Sequence, residues 1–152
     1  MTAPRAGLMT GGGEVFAFDR PVRFDEVDAA QILFFARFFN YSHEAMEAFF
    51  AQLPGGYVAI INERRLGLPA VHVESNFLHP LRFGDVAHID VTLSRVGRSS
   101  CAFRHTMSLK STGASVAVID HVCAAVDLTT LKSLPLPGDI RALLERFLPA
   151  PS

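Results

Sequence analysis

The stretch Val22-Arg23-Phe24-Asp25-Glu26-Val27-Asp28-Ala29-Ala30-Gln31-Ile32-Leu33-Phe34-Phe35-Ala36-Arg37-Phe38 decides how this chain is read. Three carboxylates leave an alternating segment and run straight into Ile32-Leu33-Phe34-Phe35, the most hydrophobic part of the sequence. Acids favour the positive end of a helix dipole, at about 0.3–1 kcal/mol each, and that accounts for Asp25 and Glu26. It accounts poorly for Asp28, which Ala29-Ala30-Gln31 separates from the helix start. A carboxylate followed by four large apolar residues belongs at the mouth of an apolar pocket.

Downstream, the spacing predicts a helix over about Phe35–Leu53. Its outer face is Arg37, Asn40, Glu44 and Glu47, and its covered face is Phe35, Phe38, Phe39, Ser42, Met46, Phe49 and Leu53. Six of the thirteen Phe lie between positions 34 and 50, so this helix needs a sheet wrapped around it. Upstream, alternation puts Phe16, Phe18, Val22 and Phe24 on one face of a first strand, with Pro21 marking an edge. Four more period-2 segments follow. They centre on Val71–Phe77, Ala87–Leu93, Cys101–Leu109 and a long apolar run within 114–128, and the turns between them predict an antiparallel meander. Pro137-Gly138 precedes a short C-terminal helix with Asp139 as its expected N-cap. The fold class is α+β, in the order β-α-β-β-β-β-α. Residues 1–13, small and Gly-rich, are expected to be a flexible tail, and 14–150 a single domain.

The 152 residues are 49% hydrophobic and 19% charged with a net charge of −1, the composition of a globular chain. That balance excludes a general nucleic-acid binder or a polybasic membrane-surface protein. No apolar run has the length of a membrane span, and the N-terminus has no signal-type apolar region. Cys101 and Cys123 read as buried thiols, so a cytoplasmic location is expected. Six His at 43, 72, 79, 88, 105 and 121 have no helical metal-site spacing, and no nucleophile elbow, P-loop or dinucleotide fingerprint is present. His105 reads as a satisfied core histidine.

The opening stretch closely resembles the signature of the 4-hydroxybenzoyl-CoA thioesterase family of hotdog-fold proteins. Phe77-Leu78-His79-Pro80-Leu81-Arg82-Phe83-Gly84-Asp85 is similar to the family's strand and Gly-Asp corner, and Val96-Gly97-Arg98-Ser99-Ser100 to its next hairpin. The resemblance covers about residues 15–130. It implies a five-stranded antiparallel sheet around one long central helix, assembled as a dimer or dimer of dimers with sites at the interface. It also implies an acyl-CoA substrate and no separate cofactor. In that family Asp28 matches the catalytic carboxylate, and the Phe35 backbone N–H matches the donor that polarises the thioester carbonyl. Two departures stand out. Gln31 occupies a position usually held by Gly, where it would alter the loop or add an amide donor. His43 replaces the helix Asp that reads a phenol in hydroxybenzoyl-specific members. The tol-pal-associated relatives carry a His near the helix start, where this chain has Phe34-Phe35-Ala36.

A thioester asks little of its catalyst, because the leaving thiolate has a pKa of about 8.5. A carboxylate beside a helix N-terminus supplies both attack and oxyanion stabilisation. Asp28 would therefore act as nucleophile or as general base in hydrolysing an aromatic or medium-chain acyl-CoA. His43 would line the acyl pocket or bond Glu47 one turn on. Arg98, Ser99 and Ser100 would grip CoA phosphates or form a plain polar turn. Two rivals stand beside hydrolysis: an acyl-thioester dehydratase or hydratase built on His43 with Glu47 or Asp28, and a non-catalytic acyl-CoA-binding module.

Overall fold

The computed structural model describes residues 11–151. Five strands form one antiparallel sheet: β1 (Phe16–Pro21), β2 (Ala70–Phe77), β3 (Val86–Val96), β4 (Ser100–Leu109) and β5 (Ser115–Ala124). Helix α1 (Arg37–Phe50) packs on its concave face, and the short α2 (Gly138–Arg146) joins the same core through Ile140, Leu143 and Leu144. This is the expected helix-in-sheet architecture.

The strand order, β1-β3-β4-β5-β2, corrects the expected meander. Only β3-β4-β5 run hairpin to hairpin. The 78–85 connection instead crosses the sheet, so β2 pairs with β5 (Phe77↔Ala117, Val73↔His121) and becomes an edge. Pro21 does mark the other edge, where β1 pairs with β3 from Phe16↔Val91 to Pro21↔Val86.

Helix α1 starts two residues later than its periodicity predicts and buries Phe38, Tyr41, Ser42, Ala45, Met46, Phe49 and Phe50. The expected inward positions Phe35 and Phe24 are 59% and 74% exposed instead. Phe49 sits at the centre of the core, edge-on to Phe16, Phe103 and Phe147 with ring centroids 4.9–5.7 Å apart. Asp139 does not cap α2. Pro137 holds that position, and the Asp139 carboxylate forms a two-bonded pair with Arg64 at 2.7 and 2.8 Å.

The tail expectation divides. Residues 1–10 lie outside the described residues, whereas Gly11 and Gly13 are pinned by N–H bonds to the Glu145 and Leu148 carbonyls, both 3.0 Å. Both have φ near +75°, the conformation glycine adopts without strain, and a Cβ on Gly11 would collide with the Pro149 carbonyl oxygen. Among the described residues no helix is long and apolar enough to cross a membrane.

Candidate active site

Asp28 opens a tight loop between β1 and α1. Its carbonyl accepts the Gln31 N–H at 2.9 Å, its own N–H donates to the Ile32 carbonyl at 2.9 Å, and Val27 bridges Leu33. Asp28 Oδ1 accepts the Ala30 N–H at 2.8 Å, an Asx-type turn that orients the carboxylate while leaving the side chain exposed. Gln31 takes the left-handed conformation, φ 67°, that closes such a turn. The departure from Gly thus preserves the loop at the cost of strain. The Gln31 side chain faces a cleft of about 250 Å³ shared with Phe24, Val27, Arg82 and Phe83.

A buried ionic clasp, missed in the sequence, holds this loop. Arg20 and Glu26 are 5% and 4% exposed and bond through Nη2–Oε2 at 2.6 Å and Nη1–Oε1 at 3.1 Å. Glu26 also accepts the Tyr41 hydroxyl at 2.7 Å and the Arg23 N–H at 3.0 Å, while its carbonyl accepts the Phe34 N–H at 3.0 Å. Arg20 reaches Glu44 at 2.8 Å and lies 4.4 Å from the centre of the Tyr41 ring. Strand β1, helix α1 and both arms of the Asp28 loop therefore meet at one residue, Glu26. Burial pushes the Glu26 carboxyl upward, yet the bonds from Arg20, Tyr41 and the Arg23 N–H leave it below its ordinary range. Burial and Glu26 together raise the Tyr41 phenol. A signal existed: Arg20 shares the inward parity of Phe16, Phe18 and Val22, and an inward arginine requires a carboxylate. For the same reason Glu44, read as solvent-facing, is engaged.

Beyond the loop, the N–H groups of Phe34 and Arg37 are bonded, to the Glu26 and Phe34 carbonyls. The Phe35 and Ala36 N–H groups have no backbone or side-chain acceptor among the described residues, and α1 has no side-chain N-cap. An apolar cleft of about 370 Å³ opens beside it, between Ile32, Leu33, Phe35 and Phe38 on one side and residues 77–80 on the other. An exposed carboxylate, an unspent helix-start donor and an apolar cleft thus share one end of the sheet.

The remaining sequence candidates lie elsewhere. The Gly97–Ser100 hairpin ends β3 opposite the Asp28 loop, and eleven residues of strand put about 30 Å between them. The hairpin is stitched down. Ser99 and Arg98 carbonyls accept the Ala125 and Leu136 N–H groups at 2.8 Å, and Ser100 Oγ accepts from Arg95 at 3.1 Å. Within one chain Arg98, Ser99 and Ser100 do not meet Asp28. His43, midway along α1, bonds Glu47 through Nε2 at 2.7 Å and also lines a cavity of about 170 Å³ with Phe39, Val73, Ile119 and His121. Both of its expected roles are compatible with that placement.

His105 is buried but only half satisfied: its Nε2 is 3.3 Å from His121 Nδ1, and its Nδ1 has no partner. Burial holds both imidazoles below the ordinary histidine range, His105 to about 3. Cys101 and Cys123 are buried free thiols on facing strands. A bond to Cys101, with burial, raises the Cys123 thiol, and Cys123 Sγ lies 2.9 Å from His121 Nε2. Among the described residues no group of three His, Cys, Asp or Glu is arranged to hold a metal ion.

Residues 22–144 match the family model described as the thioesterase-like superfamily. A 1,4-dihydroxy-2-naphthoyl-CoA hydrolase from Synechococcus elongatus is 28% identical over 131 residues, 86% of this chain and 95% of that protein. A thioesterase superfamily structure from Jannaschia sp. CCS1 superposes with a TM-score of 0.82 at 24% identity, covering 99% of both chains. A 1,4-dihydroxy-2-naphthoyl-CoA thioesterase from Synechocystis superposes at 0.78 with 21% identity, over 86% of this chain and 96% of that one.

Proposed function

The chain belongs to the thioesterase-like superfamily and is a thioester hydrolase, and from that premise we propose that it hydrolyses an aromatic acyl-CoA through Asp28. Water adds across the thioester, giving the free acid and CoA thiol. The carboxylate either attacks the carbonyl carbon, forming a mixed anhydride that water then cleaves, or takes a proton from the attacking water. The Phe35 N–H donates to the developing oxyanion at the positive end of α1. The observation that carries this reading is the unspent Phe35 N–H beside the Asp28 loop and the apolar cleft.

The working unit is a dimer. All of β2 except Ser75 is exposed, including Val71, Val73 and Phe77, and its outer edge is unpaired. An apolar edge of this kind is a template for a second copy. Antiparallel pairing about a twofold axis sets the Ala70 end of one β2 against the Phe77 end of the other. It therefore carries the partner's hairpin and the partner's His43 cavity toward this chain's Asp28. Gln31 contributes its side chain to the entrance, and Arg98, Ser99 and Ser100 of the second copy meet the CoA phosphates.

The test is thiol release across aromatic, medium-chain and short acyl-CoAs, with wild type beside Asp28→Asn. The variant is expected to fold normally and lose more than tenfold in kcat/KM, over ~1.4 kcal/mol of transition-state stabilisation. Retention of more than a tenth of the activity excludes Asp28 from the central role.

A further inference from the structure

The cavity between α1 and the β2–β5 edge has a flat floor. His121 commits both ring nitrogens within the sheet, Nε2 to Cys123 on its own strand and Nδ1 to His105 on the next. The rings of Phe103, His105 and His121 are parallel within 22°, with centroids 5.6–6.0 Å apart. A 3.3 Å contact between ring nitrogens at that centroid spacing places the two imidazoles side by side in one plane. His121 thus lies along the sheet and turns a face, not a nitrogen, to the cavity. Phe39, Ser42 and His43 line it from α1, and Ala70, Val73 and Ile119 complete the walls. The volume of about 170 Å³ is that of cavities that hold one benzene ring, about 150 Å³. Burial keeps both imidazoles neutral, so the floor offers a ligand π-surface rather than positive charge.

We propose that this cavity is a ring slot in which His121 is a specificity-determining residue: it takes one planar six-membered ring of the acyl group against the imidazole face and excludes a fused second ring. The assignment rests on the reading above, with the ring in one protomer's slot and the thioester at the other's Asp28. It departs from the naphthoyl compounds named for the relatives. His105 is a positioning residue, holding the His121 plane through the Nε2–Nδ1 contact.

The experiment compares kcat/KM of the full chain for benzoyl-, cyclohexanecarbonyl- and 2-naphthoyl-CoA. Benzoyl and cyclohexanecarbonyl groups match in size and differ in planarity; benzoyl and naphthoyl differ by one ring. Wild type is expected to prefer benzoyl at least tenfold over each. His121→Phe, which keeps a flat face, is expected to hold the benzoyl-to-cyclohexanecarbonyl ratio, and His121→Leu to reduce it to within about threefold of unity. Phe39→Leu, on the half-exposed helix face, reads the same ratio without disturbing the buried pair and is expected to lower it. A wild-type ratio near unity, or a ratio that neither leucine variant changes, overturns the slot. Turnover of octanoyl-CoA with none of the three ring substrates overturns the slot and leaves the hydrolase reading standing. Release of thiol from no acyl-CoA overturns both.

Discussion

The two ends of the sheet are built on opposite plans. Around the Asp28 loop an exposed carboxylate rides on a strained turn, clasped from below by a buried ion pair, beside a wide and open cleft that reaches the Phe77 end of β2. At the β2–β5 end lies a smaller, ring-sized cavity on a floor of neutral rings, with no carboxylate in its lining. One region has the reactive group beside an open cleft, and the other has a smaller, half-open cavity without a reactive group. About 30 Å of strand separates the far hairpin from Asp28, so one chain cannot bring Arg98, Ser99 and Ser100 to its own carboxylate, whereas twofold pairing of β2 edges can bring a second copy's.

The contrast breaks first at the clasp. Glu26→Ala leaves the buried Arg20 guanidinium with Glu44 alone and takes the acceptor from the Tyr41 hydroxyl, at a cost of about 3 kcal/mol, the low end for breaking a buried pair. Urea unfolding is expected to show that loss, and a cost below about 1 kcal/mol would mean that the loop is not held from below. The opposite end is sensitive to acid instead. The folded His105 pKa, about 3, lies below the unfolded value of about 6.5, so the unfolded chain takes the proton first. Its contribution is fully present above about pH 6.5 and is lost as pH falls toward 3. The loss runs at about 1.4 kcal/mol per pH unit, roughly 2 kcal/mol by pH 5. Comparing denaturation midpoints of wild type and His105→Leu across pH 5–7 checks this; parallel pH slopes would contradict it. The smallest effect is at the turn. Gln31→Gly relieves a left-handed residue and is expected to stabilise by about 1 kcal/mol, a small rise in melting temperature. A fall would mean that the Gln31 side chain holds the loop.

What was legible in the sequence follows the same division. The helix-in-sheet fold could be read because α1 and the strands each carry a clean period over many residues, and Asp28 because its position defied the dipole reading. The strand order could not, since a crossover of eight residues looks locally like a long turn. Glu26 looked like a helix-start acid because its partners, Arg20 and Tyr41, lie 6 and 15 positions away and meet only through tertiary packing. The His121 floor was invisible for a similar reason. Alternation puts His105 on the inward face, but a run read as apolar on both faces does not orient His121, and only the register makes the two diagonal neighbours across β4 and β5.

The composite site is tested most directly by mixing two defective homodimers. Asp28→Asn removes the carboxylate, and Ala70→Trp fills the slot from its β2 wall. When the two variants are refolded together, each mixed dimer holds one doubly damaged site and one intact site. With random pairing the account predicts recovery of about a quarter of wild-type thiol release from an aromatic acyl-CoA, well above either parent. No recovery above the parents, in a mixture shown by mass to contain heterodimers, would contradict it and return the whole site to a single chain.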